Sequence, residues 1–254
     1  MRVAFTGAAS GIGAATATKL VAEGHEVVAF DIAAPATASA WLECDMADPT
    51  SIEAAVAKTH GQFDALITCA GIPPRPGNAK SVLAVNALGL VRLTEALLPL
   101  LSKGASIVNV ASRAGAHWRD NIDEVRALLA LRDPSGLDSF IKRRDIDHVR
   151  AYSLSKEAVI AWTAASTERL IGMDVRMNCV SPGAVSTGIL EDFIAAFGEV
   201  VARNVARAGR PALPDEVADL IIFLASTESS WIKGTDLCID GGMSAMALSD
   251  ALGL

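Results

Sequence analysis

The opening stretch of the chain restricts its fold more than any other. Arg2-Val3-Ala4-Phe5-Thr6, a short run suited to a buried strand, leads straight into Gly7-Ala8-Ala9-Ser10-Gly11-Ile12-Gly13. Ala14 to Glu23 then contains neither Gly nor Pro and reads as a helix closed by Gly24. Strand, glycine-rich turn and helix in that order make the anion-binding start of a nucleotide fold. The glycines let the backbone turn tightly and approach a pyrophosphate, and the helix N-terminus offers unpaired N–H groups and a positive dipole end.

The alternation continues. His25 to Phe30 is a second strand ending at Asp31, an acidic residue placed to accept hydrogen bonds from an adenosine ribose diol and to repel a 2′-phosphate. No Lys or Arg stands at Ala8, Ala9, Ile32, Ala33 or Ala34 to offset that repulsion, so NAD is expected rather than NADP. Ile32 to Ser39 is too short for a crossover helix before the third strand, Ala40 to Cys44. Asp45-Met46 follows, where a carboxylate can reach an adenine amino group. Helix Pro49 to His60, strand Phe63 to Thr68 and the small residues Ala70-Gly71 come next. A helix over Ser81 to Ser102 carries leucines at 90, 93, 97, 98 and 101 on one buried stripe, with Asn86 as a polar residue near its start. Strand Ser106 to Ala111 delivers Ser112 to the sheet edge that faces the ligand crevice.

Residues 117–149 break the rhythm. Two short helices, Asn121 to Leu131 and Ser135 to Arg143, fit this insert; Val125, Leu128 and Phe140 must pack somewhere, and Lys142-Arg143-Arg144 reads as a solvated face. Beyond it lie a helix over Arg150 to Leu170, a sixth strand over Met173 to Val180 and an amphipathic segment to about Ala208. A helix over Pro214 to Ala225 and a last strand, Gly234 to Ile239, complete the series. With no composition break, the expectation is α/β: a single domain spanning 1–254, with a doubly wound parallel seven-stranded sheet and a helical insert.

The formal net charge of −7 argues against nucleic acid or an anionic membrane as partner. Cys44, Cys69, Cys179 and Cys238 are far apart and read as buried reduced thiols, and the four histidines lack metal spacing, so no metal is expected. No apolar run approaches a membrane span and the first strand leaves no room for a signal peptide, which points to a cytoplasmic chain.

Chemistry concentrates at Tyr152-Ser153-Leu154-Ser155-Lys156, which holds the only tyrosine. On a helix this spacing stacks phenol and ammonium one turn apart on one face. At about 4 Å and an effective dielectric of about 20, their attraction is on the order of 4 kcal/mol before desolvation. That favours the phenolate and makes a general base near neutral pH.

In order along the chain, Thr6-Gly7-x-x-x-Gly11-x-Gly13, Asp31, Asp45, Ala70-Gly71, Asn86, Ser112, Tyr152-x-x-x-Lys156, Asn178, Pro182-Gly183 with Thr187, and Asp240-Gly241-Gly242 resemble the short-chain dehydrogenase/reductase family over almost the whole length. The short link after Asp31 and the insert before Tyr152 are similar to its bacterial 3α-hydroxysteroid dehydrogenase/carbonyl reductase branch. Val175 to Cys179, Ser230-Trp231-Ile232 and Lys156-Glu157-Ala158 are similar to its coniferyl-alcohol dehydrogenase branch, which is favoured. Thr68-Cys69 and Ala111 depart from the family pattern without removing a catalytic group.

The resemblance implies an NAD-dependent alcohol dehydrogenase or carbonyl reductase with catalytic Asn86, Ser112, Tyr152 and Lys156. Tyr152 exchanges the hydroxyl proton and Lys156 lowers its pKa and binds the nicotinamide ribose. Ser112 holds the reacting oxygen, and Asn86 positions a water linking Lys156 to solvent. Gly7, Ser10, Gly11, Ile12, Gly13, Asp31, Ile32, Asp45, Met46, Ala70, Gly71, Pro182 and Gly183 line the cofactor, and Thr187 with the Val185 backbone holds the carboxamide. Arg113, His117, Trp118, Ile189, Leu190 and Phe193, with Phe197, are the candidate substrate contacts, suited to an aromatic or bulky alcohol. A homodimer through the last strand and the Pro214 helix is expected, because the insert obstructs pairing of the Tyr152 helices. The rival of another class is an NAD(H)-binding regulator without turnover.

Overall fold

Each short apolar run becomes a parallel strand, and the segment after it carries the chain back to begin the next. The computed structural model describes residues 1–254. Its strands are β1 (Arg2–Thr6), β2 (Glu26–Asp31), β3 (Ala40–Glu43), β4 (Phe63–Thr68), β5 (Leu101–Val110), β6 (Arg176–Pro182) and β7 (Asp236–Ile239). They form one seven-stranded sheet in the order β3-β2-β1-β4-β5-β6-β7, with every pair parallel. After β3 the chain crosses to the far side of β1, and that reversal opens a crevice at the carboxyl ends of β1 and β4. Backbone and side chain of Thr6 stitch the two strands there: Cys69 N donates to Thr6 O at 3.1 Å and Ala70 N to Thr6 Oγ1 at 3.1 Å.

The pleat sends alternate side chains to opposite faces. Val3 and Phe5 pack with α1 (Gly11–Ala22) and α10 (Pro214–Ala225) through Ala17, Leu20, Val217 and Ile221. Ala4, between them, joins Phe30, Leu66 and Ile107 on the other face. That face is covered by α2 (Pro49–Ala57), α4 (Leu90–Leu97) and α7 (His148–Ile171), through Ile52, Leu93, Leu97 and Val159. Burying side chains of this size stabilises the fold by about 1.5–3 kcal/mol each.

The helix expected over Ser81 to Ser102 is broken into pieces. It comprises α3 (Ala79–Leu83), a π-helical turn over Ala84–Gly89, α4, and a 3₁₀ turn over Leu98–Leu100. The π-helical turn ends at Gly89, which packs so closely on the segment after β3 that a Cβ there would stand 2.0 Å from the Met46 carbonyl oxygen. The run Ala79–Leu100 is also long and apolar enough, by length and composition, to cross a membrane, contrary to the sequence expectation. It is a core helix: 67% of its most apolar window is buried against the sheet and the neighbouring helices.

The insert folds as expected into two helices, α5 (Ile122–Leu129) and α6 (Leu137–Arg144). Val125, Leu128, Leu137 and Phe140 pack on Val82 and Leu83 of α3 and on Ala151 and Leu154 of α7. The amphipathic segment is likewise a pair of helices, α8 (Leu190–Phe197) and α9 (Glu199–Ala208), with no fully buried residue in either. A terminal helix, α11 (Met243–Leu252), was not read from the sequence. All four cysteines are free, but Cys238 is exposed, because β7 is an edge strand and that side of it faces solvent.

Candidate active site

The β-carboxyl edge of the sheet opens into a cleft of about 500 Å³, formed by the segments that leave β1, β4, β5 and β6 and roofed by α8 and α9. Its floor is the glycine-rich turn. Gly7 has φ +75°, and a Cβ on it would meet the Ala70 nitrogen at 2.5 Å; one on Gly13 would meet the Gly7 carbonyl oxygen at 1.8 Å. No other residue fits these two positions. The turn ends at the N-terminus of α1, which has no acidic residue in its first turn. Bare backbone and free N–H groups on a floor that admits no side chain fit a bound pyrophosphate.

Gly7, Ser10, Gly11, Ile12, Gly13, Ala70, Gly71, Pro182, Gly183, Val185 and Thr187 all line the cleft. Asp31 lies beside it. Its Oδ2 accepts from the Ala9 N–H at 3.1 Å and its Oδ1 from the Ala33 N–H at 3.3 Å, so the carboxylate rests on the outer rim of the glycine turn. Ile32 next to it is 70% exposed. Asp45 and Met46 are not part of the lining. The Asp45 carboxylate accepts from the Ala47 N–H at 2.8 Å within its own turn, and Met46 is buried against the helix at Gly89.

Helix α7 starts where Asp147 Oδ1 accepts from the Arg150 N–H at 2.7 Å, and it presents Tyr152 and Lys156 to the cleft. Gly115, in the turn after Ser112, packs so closely on α7 that a Cβ there would stand 2.7 Å from the Lys156 carbonyl carbon. This contact sets the Ser112 turn against the Tyr152 helix. Lys156 Nζ donates to the Val110 carbonyl at 2.9 Å. Asn86 is fully buried; its Oδ1 accepts from Ile72 N at 2.8 Å and its Nδ2 donates to Ile72 O at 3.0 Å. Gly71 lies between the two polar groups: a Cβ there would be 3.3 Å from Asn86 Oδ1 and 3.6 Å from Lys156 Nζ.

The electrostatics of the cleft differ from the sequence expectation. Burial pushes the Tyr152 phenol up to about 12, opposed by its hydrogen bond with Ser112, and burial pushes the Lys156 ammonium down to about 8. The ammonium sits 5.8 Å from the Tyr152 ring centroid and is committed to Val110 O. Desolvation of both groups therefore outweighs their mutual attraction. Phe193 and Phe197 of α8 cover the phenol, standing edge-on to the Tyr152 ring with centroids at 5.0 and 6.2 Å.

Of the expected substrate contacts, Arg113, Ile189, Leu190, Phe193 and Phe197 line the cleft. His117 and Trp118 do not. The turn after Ser112 carries His117 into solvent beside Asp120, at 3.4 Å, and tucks Trp118 against the core beneath the Arg119 guanidinium. Further lining residues that the sequence did not point to include Val200, Val201, Asn204 and Met243. The amphipathic character of Leu190 to Ala208 was visible, but which face looks inward depends on the break at Gly198, whose φ is +63°.

Comparison with known proteins is consistent with this geometry. A family model described as short chain dehydrogenase matches residues 2–122, and one described as enoyl-(acyl carrier protein) reductase matches 136–244. The stretch between them falls inside the insert. The chain is 35% identical over 247 residues to a coniferyl-alcohol dehydrogenase of Pseudomonas sp. (strain HR199 / DSM 7063), covering 96% of each chain. It is 31% identical over 249 residues to a 3-alpha-hydroxysteroid dehydrogenase/carbonyl reductase of Comamonas testosteroni, again covering 96% of each. Among solved structures, the 3-alpha-hydroxysteroid dehydrogenase from Pseudomonas sp. B-0831 complexed with NADH superposes with a TM-score of 0.85 at 34% identity, over 97% of this chain and 98% of that one.

Proposed function

Since the chain belongs to the short-chain dehydrogenase/reductase family and is an oxidoreductase of it, we propose that it interconverts an alcohol and its aldehyde or ketone with NAD as cofactor. The observation that carries this reading is the convergence of Ser112, Tyr152 and Lys156 on one cleft whose floor is the bare glycine turn. NAD, when bound, supplies the hydride acceptor. The Asp31 carboxylate on the rim of the turn, with no cation among its hydrogen-bond partners, favours a ribose diol over a 2′-phosphate.

In the oxidative direction Tyr152 takes the proton of the substrate hydroxyl, and in the reductive direction it returns it. The Ser112 hydroxyl, which lines the cleft with the phenol and acts to lower its pKa, is assigned the reacting oxygen. Lys156 holds positive charge beneath the phenol and is assigned the nicotinamide ribose. Asn86 is assigned the water that links Lys156 to solvent, a role supported by the nearness of the two polar groups across Gly71. Thr187 and the Val185 backbone are assigned the carboxamide. The apolar roof excludes water from the proton transfer and suits an aromatic or otherwise bulky alcohol. Of the two branches resembled, the coniferyl-alcohol type is preferred, supported by the 35% identity to that relative and by the aromatic side chains Phe193 and Phe197 in the cleft lining. We further assign the chain to the cytoplasm as a homodimer built on β7 and α10.

The test is a panel of aromatic, steroid and small alcohols followed at the NADH absorbance, with NADP in parallel. Turnover of aromatic alcohols with NAD is expected, with Tyr152→Phe lowering kcat by at least about 10³-fold while NADH still binds. Silence across the panel with NADH bound would instead favour a non-catalytic regulator.

A further inference from the structure

We propose that Asn121, in the insert, is a positioning residue of the site: its amide clips the turn that carries Ser112 onto the catalytic helix at Glu157 and so fixes the Ser112 hydroxyl relative to Tyr152. The proposal rests on the dehydrogenase reading above and adds to it a residue outside the cleft lining.

Residues 112–121 form one run of linked turns. Ser112 Oγ accepts from Ala114 N at 3.2 Å and its carbonyl from Gly115 N at 2.9 Å. Ala116 N then donates to Arg113 O at 3.1 Å, Trp118 N to Gly115 O at 3.2 Å and Asn121 N to His117 O at 3.3 Å. This run meets α7 at two points. Gly115 is seated on the backbone that joins Lys156 to Glu157, where a Cβ on it would be 2.7 Å from the Lys156 carbonyl carbon and 2.9 Å from the Glu157 nitrogen. At the far end, Asn121 Nδ2 donates both to His117 O at 3.2 Å and to Glu157 Oε1 at 2.8 Å. One amide nitrogen thus joins the last turn of the run to the residue that follows Lys156.

This bond is not ordinary helix capping. Asn is a favoured N-cap residue and Asn121 stands at the N-cap of α5, yet its side chain makes no capping bond. Its donors are spent on the Ser112 run and on α7 instead. The acceptor is held in a fixed orientation: Glu157 is buried, and Arg150 donates to its carboxylate from Nη1 at 2.9 Å and from Nη2 at 2.7 Å. A charged acceptor also makes the bond stronger than one between neutral groups. Just before Ser112 a further tie to α7 runs from Lys156 Nζ to Val110 O, but it is made by the side chain assigned to the nicotinamide ribose. The Asn121 clip engages no group assigned to cofactor or substrate.

Its loss should therefore act on chemistry rather than on binding. The glycine turn and Asp31 belong to β1, α1 and β2, which the clip does not touch. Ser112 acts to lower the Tyr152 pKa against burial. With Ser112 displaced that influence weakens, the phenol ionises at higher pH, and the rising limb of alcohol oxidation moves up.

The experiment compares the full-length wild type, Asn121→Ala, Asn121→Asp and Glu124→Ala on the alcohol of the panel above that the wild type oxidises fastest. Asn121→Ala should lower kcat about 10–100-fold with KM and NADH affinity within about twofold, and should raise the pH midpoint of kcat. Asn121→Asp keeps the size of the side chain but loses both donors, and should do the same. Glu124→Ala breaks an ion pair with Arg150 at the same junction and leaves the clip in place, so kcat and its pH midpoint should not move. Unchanged kcat or pH midpoint in Asn121→Ala, an effect on KM alone, loss of NADH binding in both Asn121 variants, or an equal fall of kcat in Glu124→Ala would overturn the proposal alone. Turnover of no alcohol by the wild type, with NADH still bound, would overturn it together with the dehydrogenase reading.

Discussion

At Lys156 a side chain that is 5% exposed carries an ammonium with one hydrogen bond to Val110 O and no carboxylate against it. A fall from its ordinary 10.5 to about 8 corresponds to a cost on the order of 3 kcal/mol, at about 1.4 kcal/mol per pH unit. Because the folded value lies below the unfolded one, the full cost is present below pH 8. It is relieved as pH rises from 8 to 10.5, where the unfolded chain binds more protons than the folded one. Lys156→Met should therefore stabilise the chain at pH 7 by about 1–3 kcal/mol while abolishing turnover. Its advantage over the wild type should shrink toward zero near pH 10.5, read from urea midpoints at the two pH values. A stability gap that does not change with pH would sink this account. The Tyr152-x-x-x-Lys156 spacing was plain in the sequence, whereas the direction of both pKa shifts was not. Burial depends on what packs around the two side chains from elsewhere in the chain, such as Phe193 and Phe197 over the phenol, some forty positions away.

At the scale of elements, the insert is fixed to the catalytic helix by a buried ionic cluster. Glu157, directly after Lys156, is 1% exposed. Its Oε1 accepts from Arg150 Nη1 at 2.9 Å and from Asn121 Nδ2 at 2.8 Å, and its Oε2 accepts from Arg150 Nη2 at 2.7 Å. Arg150 also binds Glu124 of α5 at 2.5 Å. Burial alone would lower the Arg150 pKa, but its bonds to the two glutamates outweigh this and raise it. Removing Glu157 leaves the Arg150 guanidinium with Glu124 alone and the Asn121 amide without its carboxylate, so Glu157→Ala should cost about 1–3 kcal/mol of stability. Glu124→Ala should cost less, since Glu124 is 20% exposed and Glu157 would still hold the guanidinium. Chemical denaturation of both variants checks the ranking, and equal losses would refute it. The two insert helices were legible from their apolar residues, which had to pack somewhere. Their docking was not: Arg150 and Glu157 are seven positions apart on one helix and reveal a partner only when Asn121 and Glu124 arrive from outside it.

For the whole molecule, the doubly wound parallel sheet followed from alternation of short apolar runs with helices, and the surface asymmetry follows from the insert. By covering α3 and the start of α7 with Val125, Leu128, Leu137 and Phe140, it occupies a flank that pairing of two Tyr152 helices would need. The opposite edge remains open. Strand β7 pairs only with β6, so its outer N–H and C=O groups have no strand beside them. The segment leading into it carries Trp231 at 92% exposure, and Leu213 at the start of α10 is 51% exposed. Asn178 anchors that segment by bonding Ile232 O at 2.8 Å and Thr235 N at 3.1 Å, so the tryptophan is held outward on fixed backbone. A two-fold axis beside β7 would bury it against a second copy and satisfy the edge. Light scattering should accordingly give a dimer. Trp231→Glu should shift it toward monomer and make the melting temperature depend less on concentration. A tetramer that joins through α7, or a dimer that Trp231→Glu leaves intact, would show that the insert does not set the assembly.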